Sequence, residues 1–136
     1  MKSLRDFAVG QTFQLVRKVD PHRPIYYAAA SGDFNPIHVD PAAARSAGLG
    51  GVILQGMCTH AWLSDACVAY FGDPVRLQNV RARFAKPVRP GDTITFTGRC
   101  TAIEGSAVRV EVEATNQHGE EVLKRASAVG LVEGER

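Results

Sequence analysis

At Pro74 the hydrophobic period of this chain changes from helical to alternating, and that change limits the folds open to it. Before it lies the most helical stretch of the sequence, "GMCTHAWLSDACVAYF", from Gly56 to Phe71. Met57, Ala61, Leu63, Ala66, Cys67 and Tyr70 fall along one broad apolar side, and Gly72 and Pro74 stop the helix. Apolar residues are dense enough here to predict burial on more than one face. After Pro74 the period is two. "VRLQNVRARFAKPV" carries Val80, Ala82 and Phe84 on one side, against Asn79, Arg81 and Arg83. "DTITFTGRCTAIE" turns Ile94 and Phe96 in, Thr95 and Thr97 out. "SAVRVEVEAT" alternates Val108, Val110 and Val112 with Arg109, Glu111 and Glu113, and "EEVLKRASAVGLV" is a last strand. "RPGD" is expected to turn between the first two of these strands and "NQHGE" between the last two, giving a four-strand antiparallel meander. A sheet with one apolar face must bury it, and the long helix is the only element able to cover it. The expected class is α+β, a curved antiparallel sheet wrapped around one helix. Its other face is open, or covered by a partner at the free edges.

The first half supplies shorter elements. "VGQTFQLVRKV" predicts a strand over 11–19. "RPIYYAAASG" predicts a short helix, with Pro24 at its first position and Gly32 after its last turn. "DPAAARSAG" predicts another, with Asp40 as N-cap, Pro41 first and Gly48 as the stop.

The length of 136 residues suits one domain, 1–136, and 45% apolar residues are enough for a modest core. A formal charge of +2 gives no reason to expect nucleic acid or an anionic membrane as partner. The three cysteines, Cys58, Cys67 and Cys100, show neither zinc-ligand nor disulfide spacing, so no metal is expected and the reducing cytoplasm is the plain reading. "MKSLRDFAVGQTF" has no apolar signal segment, no run is long enough to cross a membrane, and "EGER" reads as a frayed tail.

Between the short helices stands "SGDFNPIHVDP", residues 31–41. It is rich in turn formers, and it also places a carboxylate, Asp33, five residues before an imidazole, His38. Asp33 can serve merely as a turn cap and His38 as a satisfied core histidine. Equally, a histidine is the natural proton carrier near neutral pH, and a nearby carboxylate can orient it or act as a second base. Spacing alone leaves both readings open.

The longer stretch "YAAASGDFNPIHVDPAAARSAGLGGVILQGMCTHAW" resembles the hydratase motif of the MaoC-like dehydratases. These are hot-dog-fold enzymes that include the (R)-specific enoyl-CoA hydratases. The resemblance rests on Asp-x-Asn-Pro-x-His, the following Asp-Pro and the glycine-rich approach to a helix. "RFAKPVRPGDTI" extends it over most of the chain, and "GVILQGMCTHA" is similar to the hydratase half of peroxisomal multifunctional β-oxidation enzymes. The hot-dog fold is the sheet-round-helix arrangement reached from periodicity.

The resemblance implies reversible addition of water to trans-2-enoyl thioesters, giving (R)-3-hydroxyacyl thioesters. Asp33 and His38 would be the catalytic pair and Asn35 would orient the carboxylate or its loop. Gly56 would donate its N–H to the thioester carbonyl, a role that suits the first turn of a long helix, where N–H groups have no internal partner. The family usually has histidine just before that glycine; here it is Gln55, which offers an amide but no proton near neutral pH. Tyr27, Met57, Trp62 and Phe84 are candidates for the acyl pocket or for core, and His60 reads as core or pocket wall. Arg81, Arg83 and Lys86, within a cluster that includes Arg76 and Arg89, are candidates for the carrier's phosphates. No cofactor is implied beyond the coenzyme A or phosphopantetheine that the substrate brings. A homodimer, a dimer of dimers or a heterodimer with a related subunit is expected. A thioesterase and a non-catalytic acyl-thioester-binding subunit are the rival readings.

Overall fold

The computed structural model describes residues 2–134; Met1 and the last two residues of "EGER" lie outside them. A single 3₁₀ turn (Leu4–Asp6) precedes β1 (Thr12–Lys18), α1 (Arg23–Ser31), α2 (Pro36–Val39), α3 (Pro41–Ser46) and α4 (Gly56–Phe71). A second 3₁₀ turn (Pro74–Arg76) leads into β2 (Leu77–Phe84), β3 (Thr93–Glu104), β4 (Ala107–Thr115) and β5 (Glu121–Leu131). The strands make one antiparallel sheet in the order β1-β3-β4-β5-β2, curled around α4 in the hot-dog arrangement.

That order corrects the expected meander. β3, β4 and β5 do follow one another as hairpins, and Asn116 and Gly119 close the turn from β4 to β5. β2, however, pairs with β5 at the far edge and not with β3. β1 occupies the edge of β3 that the meander would have given to β2. "RPGD" is a turn, closed by the Asp92 N–H on the Arg89 carbonyl at 3.0 Å, but it docks on the end of β1 through Val19. The segment between β2 and this turn is spent elsewhere: the Val88 carbonyl accepts the Leu54 N–H at 2.7 Å, which ties it to the approach to α4.

The core lies between α4 and the inner face of the sheet. α4 buries Cys58, Thr59, Trp62, Leu63, Ala66, Cys67, Tyr70 and Phe71, adjacent pairs repeating every four residues. Opposite stand Ile94, Phe96, Val108, Val110, Val112 and Ala128. A fully buried side chain such as Leu63 or Phe71 contributes about 1.5–3 kcal/mol by leaving water. Met57 and Ala61, expected on the apolar side, are exposed; together with Asp65 and Ala69 they form the stripe turned away from the sheet. Leu63, Ala66, Cys67 and Tyr70 of that expected side are buried, and the two misses arise because apolar residues surround the helix and leave its rotation undetermined.

Local signals fix the short helices. Gly32 ends α1 with φ of 79°, a left-handed conformation that releases the chain toward Asp33. Asp40 caps α3, its Oδ1 accepting the Ala42 N–H at 2.9 Å. α2 is one turn that the turn-rich reading did not foresee; Asn35 caps it and Pro36 opens it.

Candidate active site

The stretch from Ser31 to Val39 folds back on itself in three steps. The Asp33 N–H donates to Ser31 Oγ at 3.1 Å, and the Asn35 N–H donates to Asp33 Oδ1 at 3.3 Å. Asn35 Oδ1 in turn accepts the Ile37 N–H at 3.3 Å. The carboxylate is thus held by its own turn, with Oδ2 free to face outward. One helical turn later His38 points back at it, and Asp33 Oδ2 lies 3.7 Å from His38 Nε2. That separation is too long for a hydrogen bond and short enough for one water molecule to reach both atoms.

His38 is buried, and its Nδ1 lies 2.7 Å from the carbonyl oxygen of Ile53. A carbonyl only accepts, so Nδ1 donates to it and Nε2 is the ring atom turned to Asp33. The Ile53 N–H returns a bond to the Ile37 carbonyl at 3.2 Å, which fixes α2 against the strand-like approach to α4. Nothing in the local sequence signals this carbonyl, fifteen residues beyond the imidazole.

Gln55 is 1% exposed. Its Nε2 donates to the Pro24 carbonyl at 2.8 Å and to the Asp33 carbonyl at 3.3 Å. One amide therefore clamps the start of α1, the backbone of Asp33 and the start of α4. Gly56 follows as the first residue of α4.

Asp33, His38, Gly56, Met57 and Phe84 line one cavity of about 310 Å³, with Thr59 and Lys86 also in its wall. Thr59 was not singled out in the sequence, where a helical threonine carries no signal. Trp62 stands apart in the core, with the Arg23 guanidinium 5.9 Å from its ring centre. Tyr27 packs against the core edge; burial raises its hydroxyl pKa, and Cys58 and Asp33 add to the rise. Arg81 and Arg83 border a separate depression on β2, beside His60. Arg76 donates to the Phe71 and Lys2 carbonyls, and the Arg89 N–H bonds Asp92 Oδ2, so both have structural partners. Among the described residues no three His, Cys, Asp or Glu side chains gather as metal ligands do, and no helix is long and apolar enough to cross a membrane.

Comparison with known proteins places this geometry. The chain is similar to a probable enoyl-CoA hydratase 2 of Dictyostelium discoideum, 34% identical over 111 residues, which are 80% of this chain and 36% of that protein. It is similar to 3-hydroxyacyl-thioester dehydratase Y of Mycobacterium tuberculosis, 36% identical over 107 residues, 76% of this chain and 37% of that protein. The chain thus spans little more than a third of the length of these two curated relatives. Its fold superposes on the unliganded R-hydratase PhaJ1 from Pseudomonas aeruginosa with a TM-score of 0.86 and 26% identity, covering 96% of this chain and 85% of that one. The family described as the MaoC like domain matches residues 6–122, a span that takes in the Asp33–His38 turn, α4 and the first four strands, and the chain belongs to that family.

Proposed function

We propose that this chain catalyses the reversible hydration of trans-2-enoyl thioesters to (R)-3-hydroxyacyl thioesters. The observation that carries the reading is the facing pair, Asp33 Oδ2 and His38 Nε2 at 3.7 Å, in the wall of a cavity that also reaches the start of α4. The names of the two relatives support it.

In the forward direction one water sits between the pair. Its oxygen attacks C3, its proton passes to His38 Nε2, and Asp33 accepts its other O–H. The π electrons of the double bond move to the carbonyl oxygen, giving an enolate. His38, now protonated at Nε2, returns the proton to C2, so both additions occur on one face. The Asp33 carboxylate stabilises the transient imidazolium. The Gly56 N–H meets the enolate oxygen, where a fixed donor helps the transition state more than the ground state. The thioester is its own electron sink, so the reaction as written draws on no redox group or metal.

The thioester is carried by coenzyme A or by the phosphopantetheine arm of a carrier protein. Lys86 at the cavity, with Arg81 and Arg83 on β2, are the proposed phosphate contacts. Met57 and Phe84 border the acyl chain. We assign a dimer, because β2 is a free sheet edge lying beside the exposed stripe of α4; a related subunit could take the place of the second copy. All three cysteines are free and buried, which suits a reducing compartment such as the cytoplasm.

The test is hydration of crotonyl-CoA, followed as loss of the enoyl-thioester absorbance, with a chiral assay of the product. Interconversion giving the (R) product supports the reading. Release of free thiol without hydration overturns it in favour of a thioesterase.

A further inference from the structure

We propose that the hydroxyl of Thr59 is a second hydrogen-bond donor to the thioester carbonyl, beside the Gly56 N–H. The inference rests on the hydration reading and adds to it a residue that neither the motif nor the sequence pattern marks.

A serine or threonine inside a helix ordinarily satisfies its hydroxyl on a carbonyl three or four residues back. Ser64 in the same helix does so, donating to the His60 carbonyl at 3.2 Å. Thr59 does not. It is 2% exposed, and its Oγ1 is buried without a partner. Such a hydroxyl destabilises the fold and calls for another use. Among the described residues two further buried side-chain atoms lack a partner, Arg23 Nε and Gln55 Oε1, and neither residue lines the cavity of Asp33 and His38. Thr59 does line it.

The position of Thr59 on α4 explains the direction of the bond. It stands three residues after Gly56, so both lie on one face of the helix. Helical side chains lean toward the N-terminus, which carries the hydroxyl back over the turn that begins at Gly56. An acyl oxygen at the mouth of α4 therefore meets the Gly56 N–H and the Thr59 O–H together. As the enolate forms, the oxygen gains charge and both bonds strengthen, so the effect belongs to turnover rather than to substrate affinity.

The experiment compares Thr59→Val and Thr59→Ser in the full chain, with melting temperature, kcat and KM on crotonyl-CoA. Thr59→Val should melt at or above the wild-type temperature, since it removes an unsatisfied hydroxyl, while kcat falls roughly 10- to 100-fold with KM little changed. Thr59→Ser should stay within a few-fold of wild type. Full kcat in a folded Thr59→Val, with active wild type, overturns the role of Thr59 and leaves the hydratase reading standing. Equal losses in both variants also overturn it, because they point to packing rather than to the hydroxyl. Should Thr59→Val fail to fold, Thr59→Ala makes the same comparison, and full activity there is equally fatal. A wild-type chain that hydrates no enoyl thioester overturns both proposals.

Discussion

The ring of Phe84 lies so close to Gly56 that a Cβ placed on the glycine would stand 2.9 Å from it. A residue of the edge strand thus sets the size limit at the first position of α4, and both face the cavity. Gly56→Ala should cost about 1–3 kcal/mol, the usual penalty of overpacking. Phe84→Ala should restore most of that loss, since it removes the atoms the new methyl meets. A double-mutant cycle in urea checks this. Additive effects of the two changes would show that Phe84 swings aside freely.

Asp33→Asn and His38→Gln should each cut turnover by roughly 10²–10⁴-fold. The amide introduced by Asp33→Asn keeps an oxygen for the Asn35 N–H, so melting in that variant should hardly move. His38→Gln gives up the bond to the Ile53 carbonyl and should lose about 1–3 kcal/mol unless the new amide reaches it. The double variant should fall little below the worse single one, because groups acting as a unit are strongly non-additive. Near-normal turnover by either folded variant would return these residues to a turn cap and a core histidine.

Gln55→Leu should affect structure and activity together. It strands the Pro24 and Asp33 carbonyls that the amide now serves, at a cost of about 1–3 kcal/mol, and it loosens the turn that holds Asp33. Gln55→His, the residue usual in the family, should keep activity within a few-fold or raise it. A loss of two orders of magnitude in a folded Gln55→His chain would give the glutamine a more specific role than the clamp.

Alkaline pH should destabilise the fold. Burial pushes the Cys67 thiol up to about 12, and burial also raises Cys58 and Tyr70. An unfolded chain gives up these protons near their ordinary values while the native state retains them. The native state therefore binds more protons, and stability, full below about pH 9, falls as pH rises toward 12. Each such group removes up to about 1.4 kcal/mol per pH unit within that window. Urea midpoints at pH 8 and pH 10.5 measure the effect, and equal midpoints would contradict it. Cys67 should likewise resist thiol reagents in the native protein at pH 8.

The parts of the fold legible in sequence were those set by neighbours along the chain. α4 and the strands follow from the change of period at Pro74, and Asp40 and Gly32 mark helix ends by their own chemistry. The place of β2 beside β5 was not legible, because alternation tells which face a residue takes and not which strand supplies its hydrogen bonds. The same limit applies at the site. The motif put Asp33 and His38 on one short turn, but the Ile53 carbonyl that sets the tautomer, and the unpartnered Thr59 hydroxyl, exist only through contacts across the fold. α2 could have been read from Asn35-Pro36, a capping residue followed by a favoured first residue.

The return of β2 to the mouth of α4 makes the cavity a matter of chain length. The helix runs 16 residues away from Gly56, about 24 Å at helical rise. The strand comes back over eight residues, about 26 Å at strand rise, and ends on Phe84 against the same glycine. Outbound and inbound paths match. A residue inserted near the start of β2, far from Asp33 and His38, must be taken up in a bulge beyond the two register shifts the strand already carries, or it turns Phe84 to the opposite face of the sheet. The packing of Leu77, Val80 and Ala82 on the core limits the residue types of that strand, and the fit of Phe84 to Gly56 limits its length.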